Sequence, residues 1–248
     1  MRSVSDPMPP VMQPVMVPRR RDFLALNRGG GLYSEAVSQP FGSAIALAAA
    51  RMGLTPTALT LINLVLGLSA SVTVVVVAPR MAAGAVPAWA VGLGALVAWQ
   101  VAYALDCADG QLARATGQAS PAGARLDVLC DVAAHIALVT ALASVAYAYR
   151  PGTPVWLIAV FVGTWMVNLV TSVMQSGPHA ASMVPSRSTP VRVIKLIRDP
   201  GLVFLAAGLV LALAPQWTVL ALWGFAAING VFLLASIAFS ARASIMKS

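Results

Sequence analysis

Apolar residues in this chain come in long unbroken blocks, and the charged residues fall at the block edges. No Asp, Glu, Lys or Arg occurs in 52–79, 81–105, 132–149, 151–186 or 200–241. A helix needs about 20 apolar residues to cross the hydrocarbon core of a bilayer. The first four blocks therefore take one span each, and the last, broken at Ala214-Pro215-Gln216, takes two. Spanning helices are predicted at about 57–78, 86–107, 123–149, 154–176, 200–214 and 217–240. Strands of an outer-membrane barrel would instead alternate apolar and polar residues over about ten positions, a pattern absent here.

Two further segments pattern differently. Between Tyr33 and Arg51, Val37, Phe41, Ile45 and Ala48 recur at three- and four-residue spacing, which predicts an amphipathic helix on the cytosolic membrane surface. The stretch from Val191 to Arg198, basic and apolar together, is a second surface candidate. Ahead of both, residues 1–32 carry five prolines among the first eighteen positions and no apolar run behind Arg2, so they read as a disordered cytosolic tail and not a signal peptide. The expected fold is an all-α membrane protein: six transmembrane helices preceded by a surface helix, in one domain over 33–243.

Composition agrees. The 248 residues are 59% hydrophobic and 10% charged, whereas a soluble domain carries about 25% charged residues. A water-soluble globule and a disordered chain are both excluded. The net charge of +8 does not mark a nucleic-acid binder, because few basic residues lie on a soluble domain able to present them to a duplex. It follows membrane topology: with the N-terminus in the cytosol, all sixteen Lys and Arg except Arg80 and Arg150 fall on the cytosolic side. Both termini and the loop after the second span are then cytosolic. Cys107 and Cys130 are too few for a disulfide framework and are expected to be reduced packing residues.

The acidic residues are unevenly placed. Of eight in the chain, Asp106, Asp109, Asp127 and Asp131 fall within 26 positions, at the cytosolic ends of the second and third spans. Carboxylates there are costly unless a cation compensates them. Asp106 and Asp109 are i and i+3, and Asp127 and Asp131 are i and i+4, so each pair projects from one face of its helix. Arg114 and Arg125 cannot neutralise four carboxylates. Hard oxygen ligands without a zinc-like Cys or His spacing favour Mg²⁺ or Mn²⁺, and two such ions would balance the charge. A two-metal carboxylate site suits displacement at phosphorus.

Residues 106 to 131 fit D-x-x-D-G-x-x-A-R-x8-G-x-x-x-D-x-x-x-D at every fixed position. With eight specified residues, a chance match is on the order of 10⁻¹⁰ per register. The pattern resembles the signature of the CDP-alcohol phosphatidyltransferase family, and the resemblance extends to six spans, a surface helix before them and a Pro-x-x-x-Thr element, here Pro56 to Thr60. It runs roughly from Tyr33 to the end of the sixth span. At the position after Pro56, where many relatives have Asn or Asp, this chain has Thr57. Arg28 to Ser34, with three consecutive glycines, is similar to a lead-in of members that join inositol phosphates or related polyols, and reads equally as a flexible linker.

The resemblance implies an enzyme that transfers a substituted phosphate from a CDP-linked donor such as CDP-diacylglycerol to an alcohol, releasing CMP. It places two divalent cations, Mg²⁺ or Mn²⁺, on Asp106, Asp109, Asp127 and Asp131, with Asp131 also the general base. It assigns nucleotide contacts to Gly110, Ala113 and Arg114, with Thr57, Thr60 and Ser120 as further donor contacts. It also implies a homodimer in the cell membrane, with the active site cytosolic. Glycerol phosphate, inositol phosphate, inositol, serine, choline and ethanolamine all stay open as acceptors, and so does a non-lipid polyol product. A cation transporter is the competing reading of intramembrane carboxylates. Small residues such as Gly92, Gly94, Gly123 and Ala133 fit close helix packing. His135, four residues past Asp131, reads as a packing residue or a support of the site, Asp199 as an N-cap, and His179 has no role.

Overall fold

The computed structural model describes residues 19–27, 31–174, 196 and 198–245. These form α1 (Arg20–Ala25), a π-helical turn (Ser34–Ser38) running into α2 (Gln39–Arg51), α3 (Pro56–Ala82), α4 (Ala88–Ala115), α5 (Pro121–Tyr149), α6 (Val155–Met174), α7 (Pro200–Leu213) and α8 (Thr218–Ile245). A single 3₁₀ turn, Pro215–Trp217, separates the last two. Among the described residues there is no strand.

Three helices start in the same way. Thr55, Ser120 and Asp199 each accept a backbone N–H of the first turn, and each is followed by a proline whose missing N–H costs nothing there. Four helices are long and apolar enough to cross a membrane: Pro56–Ala82, Ala88–Ala115, Pro121–Tyr149 and, counting the 3₁₀ turn, Pro215–Arg242. Val155–Val167 and Pro200–Leu213 are shorter apolar stretches. Side chains such as Val65, Val72, Val76 and Val97 point outward from these helices, as lipid-facing residues do.

α3 lies along both α4 and α5, α4 also packs on α2 and α7, and α6 pairs with α8. Two cores result. The larger gathers Val74, Trp99, Leu142, Phe161, Trp165, Leu211 and Leu222. The smaller joins Phe23, Ala46, Ala49, Leu59, Leu105 and Leu112 at the end of the bundle that carries the carboxylates. The crossing of α4 and α7 depends on glycine, since a Cβ at Gly92 would stand 2.2 Å from the backbone nitrogen of Ala212. Inside the bundle Trp99 Nε1 donates to Ser71 Oγ at 3.1 Å, and Ser71 in turn bonds the Gly67 carbonyl, so neither polar group is left unpaired in an apolar setting.

At the opposite end, where α3, α5 and α7 finish, Trp89, Tyr147, Trp156 and Trp217 are each more than half exposed. Trp156 meets Trp223 edge-on at 5.1 Å. Aromatic residues gather in this way at a membrane–water boundary.

The structure departs from the sequence reading in three places. The segment expected to be disordered through residue 32 contains α1, held because Phe23 is wholly buried and Arg20 bonds Ser43 Oγ and the Pro40 carbonyl. The second span, expected to stop at 107, continues as α4 to Ala115, because charged side chains at a bundle edge do not end a helix. The helix predicted from Tyr33 begins as a π-turn, and it turns Ser34, Ser38, Gly42, Ala46 and Ala49 inward. Of the predicted apolar stripe, Phe41 and Ala48 are exposed and Val37 and Ile45 half-buried. The second surface candidate, 191–198, lies outside the described residues except for 196 and 198, as do His179, Arg187, Arg192 and Lys195.

Candidate active site

α4 stops through a left-handed glycine. Thr116 is its C-cap, Gly117 has φ +68°, and the N–H of Gln118 turns back to the Ala113 carbonyl at 2.9 Å. α5 then starts at Ser120-Pro121, so the end of one helix and the start of the next lie side by side. Both pack on α3 and make little backbone contact with each other, which leaves a cleft bridged by side chains.

The carboxylates fill that cleft. Ligand oxygens of Asp106, Asp109 and Asp127 all lie within 4.8 Å of one another. Asp131 comes within side-chain hydrogen-bonding reach of Asp106. Carboxylates so close repel one another unless protons or cations lie between them. Asp109 is buried, and its Oδ2 accepts the Thr60 hydroxyl at 2.5 Å. Among the described residues, Asp127 Oδ1 is buried with no hydrogen-bond partner. A buried, unpartnered carboxylate oxygen inside a ring of others is costly alone and fits a cation ligand, so the residues present suit a hard divalent ion.

Arg114, one turn after Gly110, folds back over it: a Cβ at Gly110 would stand 3.0 Å from Arg114 Nη1. Its Nε donates to the Leu26 carbonyl at 2.7 Å, and its charge attracts Asp127. Ala113 and Arg114 also border a cavity of about 380 Å³ whose other wall is the end of α1.

The remaining sequence candidates divide. Thr60 reaches the site through Asp109, whereas Thr57 is exposed. Ser120 is exposed, and its hydroxyl caps α5 through Gly123 N–H at 3.1 Å. His135 Nδ1 bonds the backbone carbonyl of Asp131 at 2.7 Å while its ring packs against Trp165 and Phe204, so it is a packing residue. Arg125 is exposed. Arg198 bonds Asn229 Oδ1 at 3.3 Å and lies 3.4 Å from the centre of the Phe232 ring, and burial brings its pKa down to about 10.

Asp199 caps α7 as expected, and it also accepts the backbone N–H and hydroxyl of Ser34. Partial burial and the nearby Asp199 charge hold Tyr33 above the usual tyrosine pKa. Two residues escaped the sequence reading. Gln111, fully buried on α4, donates to Asn27 Oδ1 at 2.8 Å and to the Gln39 carbonyl, and Asn27 donates to Gln39 Oε1 at 2.9 Å. Only a glutamine one position after Gly110 in a strongly apolar helix hinted at this.

The fold and cleft define a multi-pass helical membrane protein with a carboxylate site at one end of its bundle. The sequence model described as CDP-alcohol phosphatidyltransferase matches residues 53–241, and the chain belongs to that family, one of CDP-alcohol phosphotransferases. A search of curated proteins finds no match.

Proposed function

We propose that the protein transfers a substituted phosphate, phosphatidyl from CDP-diacylglycerol, to the hydroxyl of a small alcohol and releases CMP, as a step of phospholipid synthesis. The observation that carries this reading is the Asp127 carboxylate: among the described residues its Oδ1 is buried without a hydrogen-bond partner, and one of its oxygens lies within 4.8 Å of oxygens of Asp106 and Asp109. Asp106, Asp109, Asp127 and Asp131 would hold two divalent cations, Mg²⁺ or Mn²⁺, which when bound supply charge neutralisation for the phosphate oxygens and the departing CMP.

The chain's own residues have separate tasks. Thr60 fixes the orientation of Asp109 through its hydroxyl. Gly110 leaves room for the Arg114 guanidinium, which pairs with a phosphate of the donor. Asp131 takes the proton of the acceptor hydroxyl as its oxygen forms the new bond to phosphorus and the bond to the CMP oxygen breaks. A carboxylate that also binds metal is a weak base, so proton removal is the smaller contribution.

Placement follows from the charge pattern: six spans, both termini and the site on the cytosolic side of the cell membrane, and α2 lying on that surface. A site at the membrane edge lets the donor keep its acyl chains in lipid while the acceptor arrives from water. α6 brings no Lys or Arg, which supports an acceptor without a phosphate of its own. The family resemblance supports a homodimer.

The test is a panel of acceptor alcohols offered with CDP-diacylglycerol to the purified protein in nanodiscs. Release of CMP with one acceptor and a divalent cation is the expected result. No CMP with any acceptor, together with cation flux in proteoliposomes, would replace the enzyme by a transporter.

A further inference from the structure

The two helices that carry the carboxylates make little backbone contact with each other, yet Asp106 and Asp131 come within hydrogen-bonding reach across the cleft. Ionised, these side chains repel one another, so their spacing has to be held by the parts around them. α3 packs on both helices. A second support comes from α7, which lies along α4 and makes little contact with α3.

Tyr103 precedes Asp106 by three residues on α4, and His135 follows Asp131 by four on α5. The two helices are joined by a short turn and run in opposite directions. Both rings therefore lie about one helical turn from the carboxylates, on the side away from the Gly117 turn. Phe204 of α7 is buried between them, meeting Tyr103 edge-on with centroids 5.5 Å apart and His135 at a tilt with centroids 5.6 Å apart. Its two neighbours are tied in place. Ser34 Oγ gives its hydrogen to Asp199, so Tyr103 is the donor in the 2.9 Å contact between the Tyr103 and Ser34 hydroxyls. His135 Nδ1 bonds the Asp131 carbonyl at 2.7 Å.

The seat of Phe204 is firm as well. A Cβ at Gly208 would stand 2.4 Å from Leu96 Cβ, and this close approach, with that of Gly92 to Ala212, locks α7 along α4 well beyond its capped first turn. The α7 backbone makes little contact with α5, so the reach from α7 to His135 is made by the Phe204 ring. A rigid ring in a densely packed interior passes its own width on to the elements that grip it.

We infer that Phe204 is a positioning residue for the carboxylate site: its ring, wedged between Tyr103 and His135, sets the distance between α4 and α5 and so between Asp106 and Asp131. The inference rests on the proposed function and adds to it a residue of α7, outside the signature that carries the aspartates.

Phe204→Leu opens a gap at the wedge, and Phe161→Leu makes the same exchange at a buried ring of α6 that packs on Trp165 and Phe225. The full-length proteins in nanodiscs are titrated with Mn²⁺. Electron paramagnetic resonance reads both the free ion and the coupled signal of two bound ions, which depends on their separation. Both variants should lose a similar amount of Tm. The expected result is Mn²⁺ affinity weaker by about tenfold or more in Phe204→Leu, with an altered coupled signal, while Phe161→Leu matches the wild type in both. Phe204→Met, whose flexible side chain refills most of the space, should shift Mn²⁺ affinity in the same direction by a smaller factor. Wild-type Mn²⁺ affinity in each Phe204 variant that folds, or an equal loss in Phe161→Leu, overturns the inference and leaves the proposed function standing. A wild-type protein that binds no Mn²⁺ overturns the two-cation reading of the proposed function, and the inference with it.

Discussion

Thr60→Val tests whether α3 orders the metal site. The hydroxyl of Thr60 donates to Asp109 Oδ2 at 2.5 Å, and it also lies 3.2 Å from the Pro56 carbonyl of its own helix. Valine keeps the shape and removes the donor, and the Pro56 carbonyl keeps its place in the helix. The loss falls on a buried carboxylate. A hydrogen bond to a charged group contributes about 1.5–3 kcal/mol, and losing a group that orients a metal ligand typically costs about 10- to 100-fold in affinity or activity. Mn²⁺ affinity should therefore fall by about that factor, with a similar fall in kcat/KM for every acceptor. Thr60→Ser, which restores the hydroxyl, should recover most of it. Mn²⁺ titration of the three proteins in nanodiscs, with thermal unfolding as a check on folding, gives the answer. Affinity in Thr60→Val within twofold of the wild type, while Asp109→Asn abolishes binding, would refute the claim that Thr60 positions Asp109.

Asp106→Asn removes one of the mutually repelling carboxylates, so without metal it should raise Tm by about 2–4 °C while abolishing CMP release, a pairing that scanning calorimetry and the transfer assay read together. Asp199→Ala takes away the cap of α7 and both bonds to Ser34, at a cost of about 3 kcal/mol, and Tm should drop by roughly 6–12 °C with little change in metal affinity. Cysteines introduced near Arg80 or Arg150 should be labelled from outside intact spheroplasts, and cysteines near Thr116 or Arg192 should be protected; the reverse pattern would contradict a cytosolic site.

What the sequence discloses and what it hides have separate physical origins. The starts of α3, α5 and α7 are written locally, as Thr55-Pro56, Ser120-Pro121 and Asp199-Pro200. The pairing of Asp106 with Asp109 and of Asp127 with Asp131 follows from helical spacing alone, and the structure brings three of the four into one ring. The end of α4 was misjudged because a hydropathy rule stops where charge begins, whereas the helix stops where Gly117 can turn left-handed. α1 was invisible because six residues have no stability of their own, and theirs comes from burying Phe23 against helices far along the chain. The partnership of Thr60 with Asp109, and of Gln111 with Asn27, depends on which faces α3 and α4 turn to their neighbours, and no local pattern specifies that.

In the proposed function, four aspartates at one end of the bundle hold divalent cations for transfer from a CDP-linked donor. The most direct measurement counts Mn²⁺ bound per chain and CMP released from CDP-diacylglycerol on the same nanodisc preparation, as the metal is titrated from zero. About two ions per chain are expected, with CMP release that rises with their binding, and loss of both in Asp127→Asn. Undiminished CMP release in EDTA, or full Mn²⁺ binding in Asp127→Asn, would contradict it.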